Sequence, residues 1–350
     1  MIDRRLFVSG ISAAIAASSV PVRARDRSAS DLVIDHFAAA NGFSGSISLG
    51  ANGRIRHQRL FGLADREARL PVAADTTFRI GSVSKWFTAV ALLRMVDQGR
   101  MALGAPIRTH LPVLGGPYGS VSVEHLLAND SGIPDRVTQA IKDEPQLRTS
   151  RAGSAEMVAR FAEGDLAFAP GGRFDYSFFN WVLLHAAMER VAGKPFEAVL
   201  AEQVFRPLGL SRTGFVDTRD GGIAGLAAAY GTSGRKDLRV PPFGGASGNI
   251  HANAADLIRA AYLINHGRLL SARSRAELVR VRVPTEGYAL GGRVRTIGGR
   301  RVAWETGKVQ GYRTHLAHDL RTSRSVLILN NSDLDQDVLT GAVEALLPLA

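Results

Sequence analysis

Ser82 and Lys85 are the two residues of this sequence whose types and spacing best suit covalent chemistry. They lie three positions apart at the head of an apolar run that includes Phe87 and Met95, so on a helix they share one face, one turn apart. A serine hydroxyl attacks poorly until a base takes its proton, and burial or nearby cations can lower the pKa of a lysine enough to make it that base. A helix N-terminus also favours negative charge developing at the serine. The spacing therefore predicts Ser82 as a nucleophile activated by Lys85, with an N-capping serine beside a solvated lysine as the alternative.

The chain contains its own comparison for this motif. Ser233 and Lys236 have the same spacing, but they lie in a glycine-rich stretch with no apolar helix behind it. Because a desolvated amine needs such a helix, we favour Ser82 and Lys85.

Cysteine and histidine usage argues against a metal site. The sequence has no cysteine, which excludes thiolate catalysis and cysteine metal ligands. His315 and His318 are three apart in a strand-like segment, so they point to opposite faces. We expect no metal ion and no cofactor.

Alternating apolar residues predict strands near both ends of the chain. At the N-terminal end, strands at 45–50 and 54–62 flank an Asn52-Gly53 turn. The strands predicted near the C-terminus are 293–297, 301–305, 314–319 and 325–330. Helices are expected at 29–40, from 334 to the end, and through a helix- and loop-rich middle from 82 to about 264. If the terminal strands pair, they form one antiparallel sheet with the middle as an inserted helical lobe, an α+β fold with a cleft between the two parts.

The first 24 residues have the pattern of an export signal. Arg4 and Arg5 form a twin arginine, an apolar run follows from 6 to 20, and small residues near Ala24 offer a cleavage site. The run is shorter than the ~20 residues needed to span a bilayer, although a retained anchor remains the alternative. We expect a signal peptide at 1–24, a periplasmic mature domain at 25–350, and no membrane span after processing.

The formal net charge of +11 is spread along the chain. The arginines form no run and are not interleaved with aromatic residues, which argues against a nucleic-acid partner. We expect a small-molecule partner, and the sequence leaves the oligomeric state open.

Several segments, in order, carry a family resemblance. The sequence FRIGSVSK (78–85), followed by an apolar helix, resembles the nucleophile motif of class C β-lactamases, penicillin-binding proteins and family VIII esterases. EHLLANDSGIPD (124–135), FAPGGRFDYSFFNWVLL (168–184) and WETGKVQGY (304–312) resemble later segments of that family. The resemblance covers roughly 35–345 and implies a β-lactamase-like fold and a serine hydrolase.

The resemblance also implies roles for residues beyond the nucleophile pair. Tyr176 would exchange a proton with Lys85, the alternative being a tyrosine packed in the core. A nearby ammonium would lower the pKa of this phenol. Phe178 stands where the family has an asparagine, so an amide contact to substrate is lost or supplied by another group. Asn180 lies two residues on, but the alignment does not place it in that role. The oxyanion hole would use the backbone N–H groups of Ser82 and Lys308.

The sequence Glu305-Thr306-Gly307-Lys308 departs from the family pattern. Glu305 stands where the family has the lysine of Lys-Thr-Gly, a cation that helps hold a substrate carboxylate. A carboxyl group there would repel such substrates and raise the tyrosine pKa, which predicts a preference for neutral or cationic substrates. Arg313 could approach Glu305 only if the hairpin geometry allows it. We expect substrate to bind along 305–308 and beside Phe178.

These observations predict an enzyme that hydrolyses an ester, amide or peptide through an acyl-enzyme on Ser82. The altered residues make efficient β-lactam hydrolysis and cleavage of peptides with a free D-Ala carboxylate less favoured. The alternatives are a catalytically impaired binding protein and a penicillin-binding-type peptidase or β-lactamase. An α/β-hydrolase is disfavoured because the sequence has no Gly-x-Ser-x-Gly.

Overall fold

The computed structural model describes residues 28–216, 223–236 and 240–350. The signal-peptide prediction for 1–24 lies outside these ranges. Within them, no helix combines the length and the hydropathy that crossing a bilayer requires.

Strands from both ends of the chain build the main sheet. The strands of the protein are β1 (Gly45–Ala51), β2 (Arg54–Phe61), β3 (Leu63–Asp65), β4 (Leu70–Pro71), β5 (Phe78–Arg79), β6 (Gly214–Phe215), β7 (Tyr230–Gly231), β8 (Gly234–Arg235), β9 (Ile250–Ala252), β10 (Arg293–Ile297), β11 (Arg300–Val309), β12 (Tyr312–Asp319) and β13 (Arg324–Asn330). The main sheet has the antiparallel order β10-β11-β12-β13-β1-β2. Since β1 pairs with β13, the predicted sheet from N- and C-terminal strands is confirmed.

Residues with positive φ explain where the chain reverses direction in two hairpins of this sheet. Asn52 and Gly53 both have positive φ, 52° and 72°, the backbone that an Asn-Gly hairpin turn requires. Strand β11 runs to Val309, four residues past the predicted end at 305, and the chain reverses at Gly311, which has a φ of 70°. The longer strand matters because it carries Gly307 and Lys308 into the sheet.

Helices cover both faces of the sheet and form the middle of the chain. They are α1 (Ala29–Ala40), α2 (Ser84–Asp97), α3 (Gly116–Ser120), α4 (Val123–Ala128), α5 (Arg136–Asp143), α6 (Ser154–Arg160), α7 (Phe178–Ala192), α8 (Phe196–Leu200), α9 (Arg206–Leu208), α10 (Gly245–Gly248), α11 (Ala254–His266), α12 (Ala272–Leu278) and α13 (Gln336–Leu346). Helices α1 and α13 pack on one face, in a core that includes Ile34, Ile47, Trp304 and Val343. Helices α2, α7 and α11 belong to the larger core on the other side.

Helix α2 is the central element of that larger core. Every residue from Ser84 to Leu93 is buried. The sequence predicted one apolar face, but a helix that is apolar almost all round is buried on all sides. Close packing around α2 therefore fixes the position of its N-terminal turn, where Ser82 and Lys85 lie.

Candidate active site

Ser82 lies in a tight 3-10 turn, Gly81–Val83, directly before α2. The N-cap position of α2 is Val83, and no side chain caps it, so the hydroxyl of Ser82 is not used as a cap. Gly81 has a φ of +53°, and a Cβ atom there would lie 2.9 Å from the backbone nitrogen of Lys308. Only glycine fits this left-handed, crowded position without strain. The turn thus presents Ser82 beside strand β11.

Lys85 is buried, with 3% of its surface exposed. Its Nζ donates to Ser82 Oγ at 2.7 Å and to the backbone oxygen of Ser247 at 3.1 Å. Burial lowers the pKa of Lys85 to about 7; Arg293 acts in the same direction, and Glu305 opposes it. Near neutral pH a substantial fraction of the amine is therefore unprotonated and able to accept the Ser82 proton.

Tyr176 lies two residues before the start of α7, with the centre of its ring 4.9 Å from Lys85 Nζ. The ring of Trp181 lies 5.6 Å from the same nitrogen, so the amine faces two aromatic rings. Tyr176 is 42% exposed, which places it at the border of the cleft rather than in the core. The Ser82, Lys85 and Tyr176 side chains thus lie together.

The pKa of Tyr176 differs from the expectation for a phenol beside an ammonium. Loss of water around the ring in the cleft raises it, and Tyr288 and Asp135 act in the same direction. The predicted lowering of this pKa was therefore wrong, because the loss of water, reinforced by Tyr288 and Asp135, determines the direction of the shift. Tyr176 is a neutral phenol at neutral pH, a group that can donate a proton.

Strand β11 lies directly against the turn that holds Ser82, Gly81–Val83. A Cβ atom at Gly307 would lie 1.9 Å from the backbone oxygen of Ile80, so the strand can approach this closely only with glycine there. This contact brings the backbone nitrogen of Lys308 beside the Ser82 turn, where two N–H groups can face one oxygen. The side chain of Lys308 is exposed, Thr306 is half-buried, and strand alternation turns both away from the Glu305 side.

Phe178 is the first residue of α7. It packs against segment 243–247, in which the backbone oxygen of Ser247 accepts a hydrogen bond from Lys85 Nζ. Its ring centre is 5.9 Å from that of Phe243, and its Cζ atom borders Gly244. Asn180 does not replace the missing family asparagine. It is fully buried, and its Oδ1 accepts a hydrogen bond from Ser131 Oγ at 2.8 Å. The wall at this position is therefore apolar.

Glu305 is 5% exposed and lies beside Gly292. Burial raises its pKa well above the usual carboxyl value, while Arg293 and then Lys85 act in the opposite direction. Arg313 does not approach this carboxyl group: it donates to the backbone oxygens of Val309 and Tyr312. The cation beside Glu305 is Arg293, which sequence reasoning did not identify.

The sequence analysis also missed a group of hydrogen-bonded side chains next to the site, formed by Asn129, Tyr288 and Trp181. Asn129, in left-handed conformation at the end of α4, donates from Nδ2 to Tyr288 Oη at 2.9 Å. Its Oδ1 accepts from Trp181 Nε1 at 3.2 Å. Burial and then Glu305 raise the pKa of Tyr288. The segment 124–135 was the available signal, but it supported only the resemblance and no role for Asn129.

The histidines of β12 point to opposite faces, as predicted. His315 packs edge-on against Trp304, whereas His318 Nε2 lies 3.1 Å from His266 Nε2. Among the described residues, no group of three or more histidine, aspartate or glutamate side chains is placed to hold a metal ion.

Comparisons with known proteins are consistent with this geometry. The family model described as Beta-lactamase matches residues 31–348. Esterase EstB of Burkholderia gladioli is 36% identical over 203 residues, which is 53% of this chain and 50% of that protein. The chain thus aligns with about half the length of this curated relative.

Solved structures share the architecture over most of the chain. A penicillin-binding protein from Bacillus halodurans has a TM-score of 0.78 at 24% identity, covering 91% of this chain and 99% of that one. A D-stereospecific amidohydrolase from Streptomyces sp. has a TM-score of 0.74 at 25% identity, covering 87% and 95%. The β-lactamase-like fold predicted from the sequence is confirmed.

Proposed function

We propose, since the chain belongs to the Beta-lactamase family, that it is a serine hydrolase that cleaves an ester or amide through an acyl-enzyme on Ser82. The observation that carries this proposal is the 2.7 Å contact between Ser82 Oγ and the buried amine of Lys85. Esterase EstB and the D-stereospecific amidohydrolase support the ester and amide classes by their names.

Acylation follows from the protonation states in the site. Neutral Lys85 accepts the proton of Ser82 while Oγ forms a bond to the carbonyl carbon. The N–H groups of Ser82 and Lys308 stabilise the negative oxygen of the tetrahedral intermediate. As the intermediate collapses, the scissile bond breaks and the leaving group takes a proton from Tyr176, which regains one from the Lys85 ammonium.

Deacylation uses the same groups with water as the nucleophile. Lys85, neutral again, takes a proton from water directly or through Tyr176, and the hydroxide attacks the acyl carbon. The ester bond to Ser82 then breaks, and Oγ regains its proton. Each turnover therefore consumes one water and returns the site to its starting protonation.

The walls of the site favour a substrate without a carboxylate near the scissile bond. Phe178 offers an apolar surface, and Glu305 occupies the strand position where the family has a cation. Arg293, the nearby cation, is already paired with Glu286 at 3.1 Å. We therefore infer neutral or cationic acyl esters and amides as the substrate class.

Labelling with a fluorophosphonate probe tests the proposal. We expect the probe to modify Ser82, with the site identified by mass spectrometry of the labelled peptide, and the labelling to vanish in Ser82→Ala. Ser233→Ala is the matched control, because Ser233 has the same spacing to a lysine and lies on the surface. Labelling that persists in Ser82→Ala would disprove the nucleophile. A folded protein that is never labelled would favour the binding protein instead.

We also propose that residues 1–24 direct export through their twin arginine, with the mature domain acting in the periplasm. The pattern of Arg4, Arg5 and the following apolar run supports this. Replacing both arginines with lysine should retain the precursor in the cytoplasm. Unchanged appearance of the mature protein in the periplasmic fraction would contradict this proposal.

A further inference from the structure

Glu305 lies on the face of β11 that is turned towards the nucleophile. Alternation along a strand puts Glu305 and Gly307 on the same face. Gly307 is the residue that touches the turn before Ser82, since a Cβ atom there would lie 1.9 Å from the backbone oxygen of Ile80. With 5% of its surface exposed, Glu305 belongs to the inner wall of the site and not to its mouth.

Two adjacent glycines, Gly291 and Gly292, allow one loop to approach Lys85 and the carboxyl group of Glu305 closely. A Cβ atom at Gly292 would lie 1.7 Å from Glu305 Oε1 and 2.4 Å from Oε2. A Cβ atom at Gly291, where φ is +73°, would lie 2.6 Å from the backbone oxygen of Lys85. The two glycines thus bring one loop against both Glu305 and Lys85. Any side chain at 292 would displace the carboxyl group.

The charges around Glu305 couple it to the amine that contacts Ser82. Arg293 and Lys85 both favour the carboxylate form, in opposition to burial. Glu305 in turn favours the ammonium form of Lys85, in opposition to burial and Arg293. Arg293 acts on both groups of this pair and on Tyr288, while Tyr288 and Asp135 act on Tyr176. Lys85 and Glu305 therefore titrate as interacting groups.

We propose that Glu305 is a positioning residue that acts through Lys85: held in the space that Gly292 leaves, its carboxyl group stabilises the ammonium in its ionised form, which burial opposes and the two neighbouring cations favour, and so sets the pH range in which Lys85 takes the Ser82 proton. This rests on the proposed function to the extent that Lys85 is the base. Without the carboxylate, Arg293 would still disfavour the ammonium form of the buried Lys85, and Glu305 would no longer oppose it. The amine would then lose its proton at lower pH.

A direct titration of Lys85 tests this inference without any substrate. The protein has lysines only at 85, 142, 194, 236 and 308, so carbon-13 labelling of the lysine ε-carbons gives few NMR signals, and Lys85→Ala identifies one of them. In a Ser82→Ala background, Glu305→Gln should lower the pKa of Lys85 by about 1 unit or more, the size of a close charge's effect. Gly292→Ala should shift it in the same direction with no change in charge. Glu286→Gln, which removes a carboxylate from Arg293 but not from Lys85, is the control and should leave it unchanged.

The outcomes separate this inference from the proposed function. A Lys85 pKa that stays the same or rises in Glu305→Gln would overturn the role of Glu305, even where Ser82 is labelled normally. A lowered pKa supports it even if no substrate is found. Should Glu305→Gln fail to fold, judged by near-ultraviolet circular dichroism, Gly292→Ala decides alone, and an unchanged pKa there overturns the inference. In an active enzyme, the acid limb of kcat/KM should move to lower pH together with the titration.

Discussion

Lys236 Nζ donates a hydrogen bond to Ser233 Oγ at 3.1 Å in an exposed hairpin. The contact between Lys85 and Ser82 differs little in length, at 2.7 Å. What separates the two pairs is burial, because Lys85 is 3% exposed at the head of a buried helix. Serine-lysine spacing alone is therefore insufficient, and desolvation, which lowers the pKa of Lys85, is the property that suits the amine to the proposed role of base.

The pH dependence of catalysis should report the amine of Lys85. Burial lowers its pKa to about 7, and the base must be neutral, so kcat/KM for a neutral ester should rise as pH increases through about 7 and fall away below it. Lys85→Ala should reduce kcat by about 10²–10⁴-fold. The measurement is a pH–rate profile from pH 5 to 9 on the wild type and the variant.

Lys236→Ala is the control for this prediction. It removes the equivalent contact at the surface and should leave both the rate and the profile unchanged. If kcat/KM instead decreased as pH rose through 7, the protonated amine would be the active form and Lys85 would act as an acid.

Tyr176→Phe should slow reactions that have poor leaving groups more than those that have good ones. The change removes only the hydroxyl and keeps the ring over Lys85. Since the neutral phenol donates a proton to the leaving group, an anilide should lose about 10²-fold or more in kcat/KM. A nitrophenyl ester with the same acyl group should lose much less, because nitrophenolate departs without a proton.

The control for Tyr176 is Tyr262→Phe. Tyr262 stacks on His266 away from the nucleophile, so this variant should keep the wild-type ratio of ester to anilide rates. An equal loss on both substrates in Tyr176→Phe would mean that the hydroxyl acts in a step other than leaving-group protonation.

The sequence predicted well those features that depend on nearby residues. The strands near both ends follow from alternation, and the first hairpin follows from Asn52-Gly53. The Ser82 and Lys85 contact follows from helical spacing. In each case the residues that determine the structure lie within a few positions of one another, so the local sequence pattern predicts it.

What the sequence analysis missed depends on which residues face each other across paired strands and on the burial of the folded site. Glu305 neighbours Gly292 because the two-residue turn of the β10–β11 hairpin pairs Arg293 with Trp304, a register that the sequence analysis did not extend to the residue before β10. This is why Arg293 was missed and Arg313 considered. The direction of the Tyr176 pKa shift likewise depends on how much water the folded cleft removes. Site electrostatics therefore required the three-dimensional structure.

Gly307→Ala should damage both stability and catalysis. Its Cβ atom would lie 1.9 Å from the backbone oxygen of Ile80, so β11 must shift from the nucleophile turn. We expect a loss of about 1–3 kcal/mol in the free energy of unfolding, typical of overpacking. Because the shift moves the N–H of Lys308 from the oxyanion, kcat should also fall by about 10²-fold. Urea unfolding and steady-state kinetics measure the two effects.

Gly341→Ala is the control for crowding. Gly341 lies within α13, and a Cβ atom there would have no neighbour within 4 Å. Alanine should therefore stabilise the protein slightly, by up to about 1 kcal/mol, through helix propensity, and leave kcat unchanged. If Gly307→Ala kept the wild-type stability and kcat, β11 would be able to move without a cost in free energy. That result would contradict the tight contact between Gly307 and the backbone oxygen of Ile80.

Substrate charge should affect catalysis through the carboxyl group at position 305. Two esters with the same scissile bond, one ending in a carboxylate and the other in its carboxamide, isolate this effect. Because the family resemblance implies a cation where Glu305 stands, and Arg293 is paired with Glu286, we expect the carboxamide to be preferred about tenfold in kcat/KM. Because burial raises the pKa of Glu305, the preference should increase with pH as the carboxylate forms. Glu305→Gln should reduce it by removing the like charge, and higher salt should weaken it in the wild type. A wild-type enzyme that hydrolyses the carboxylate ester faster than the carboxamide would show that its cations, and not Glu305, control substrate charge.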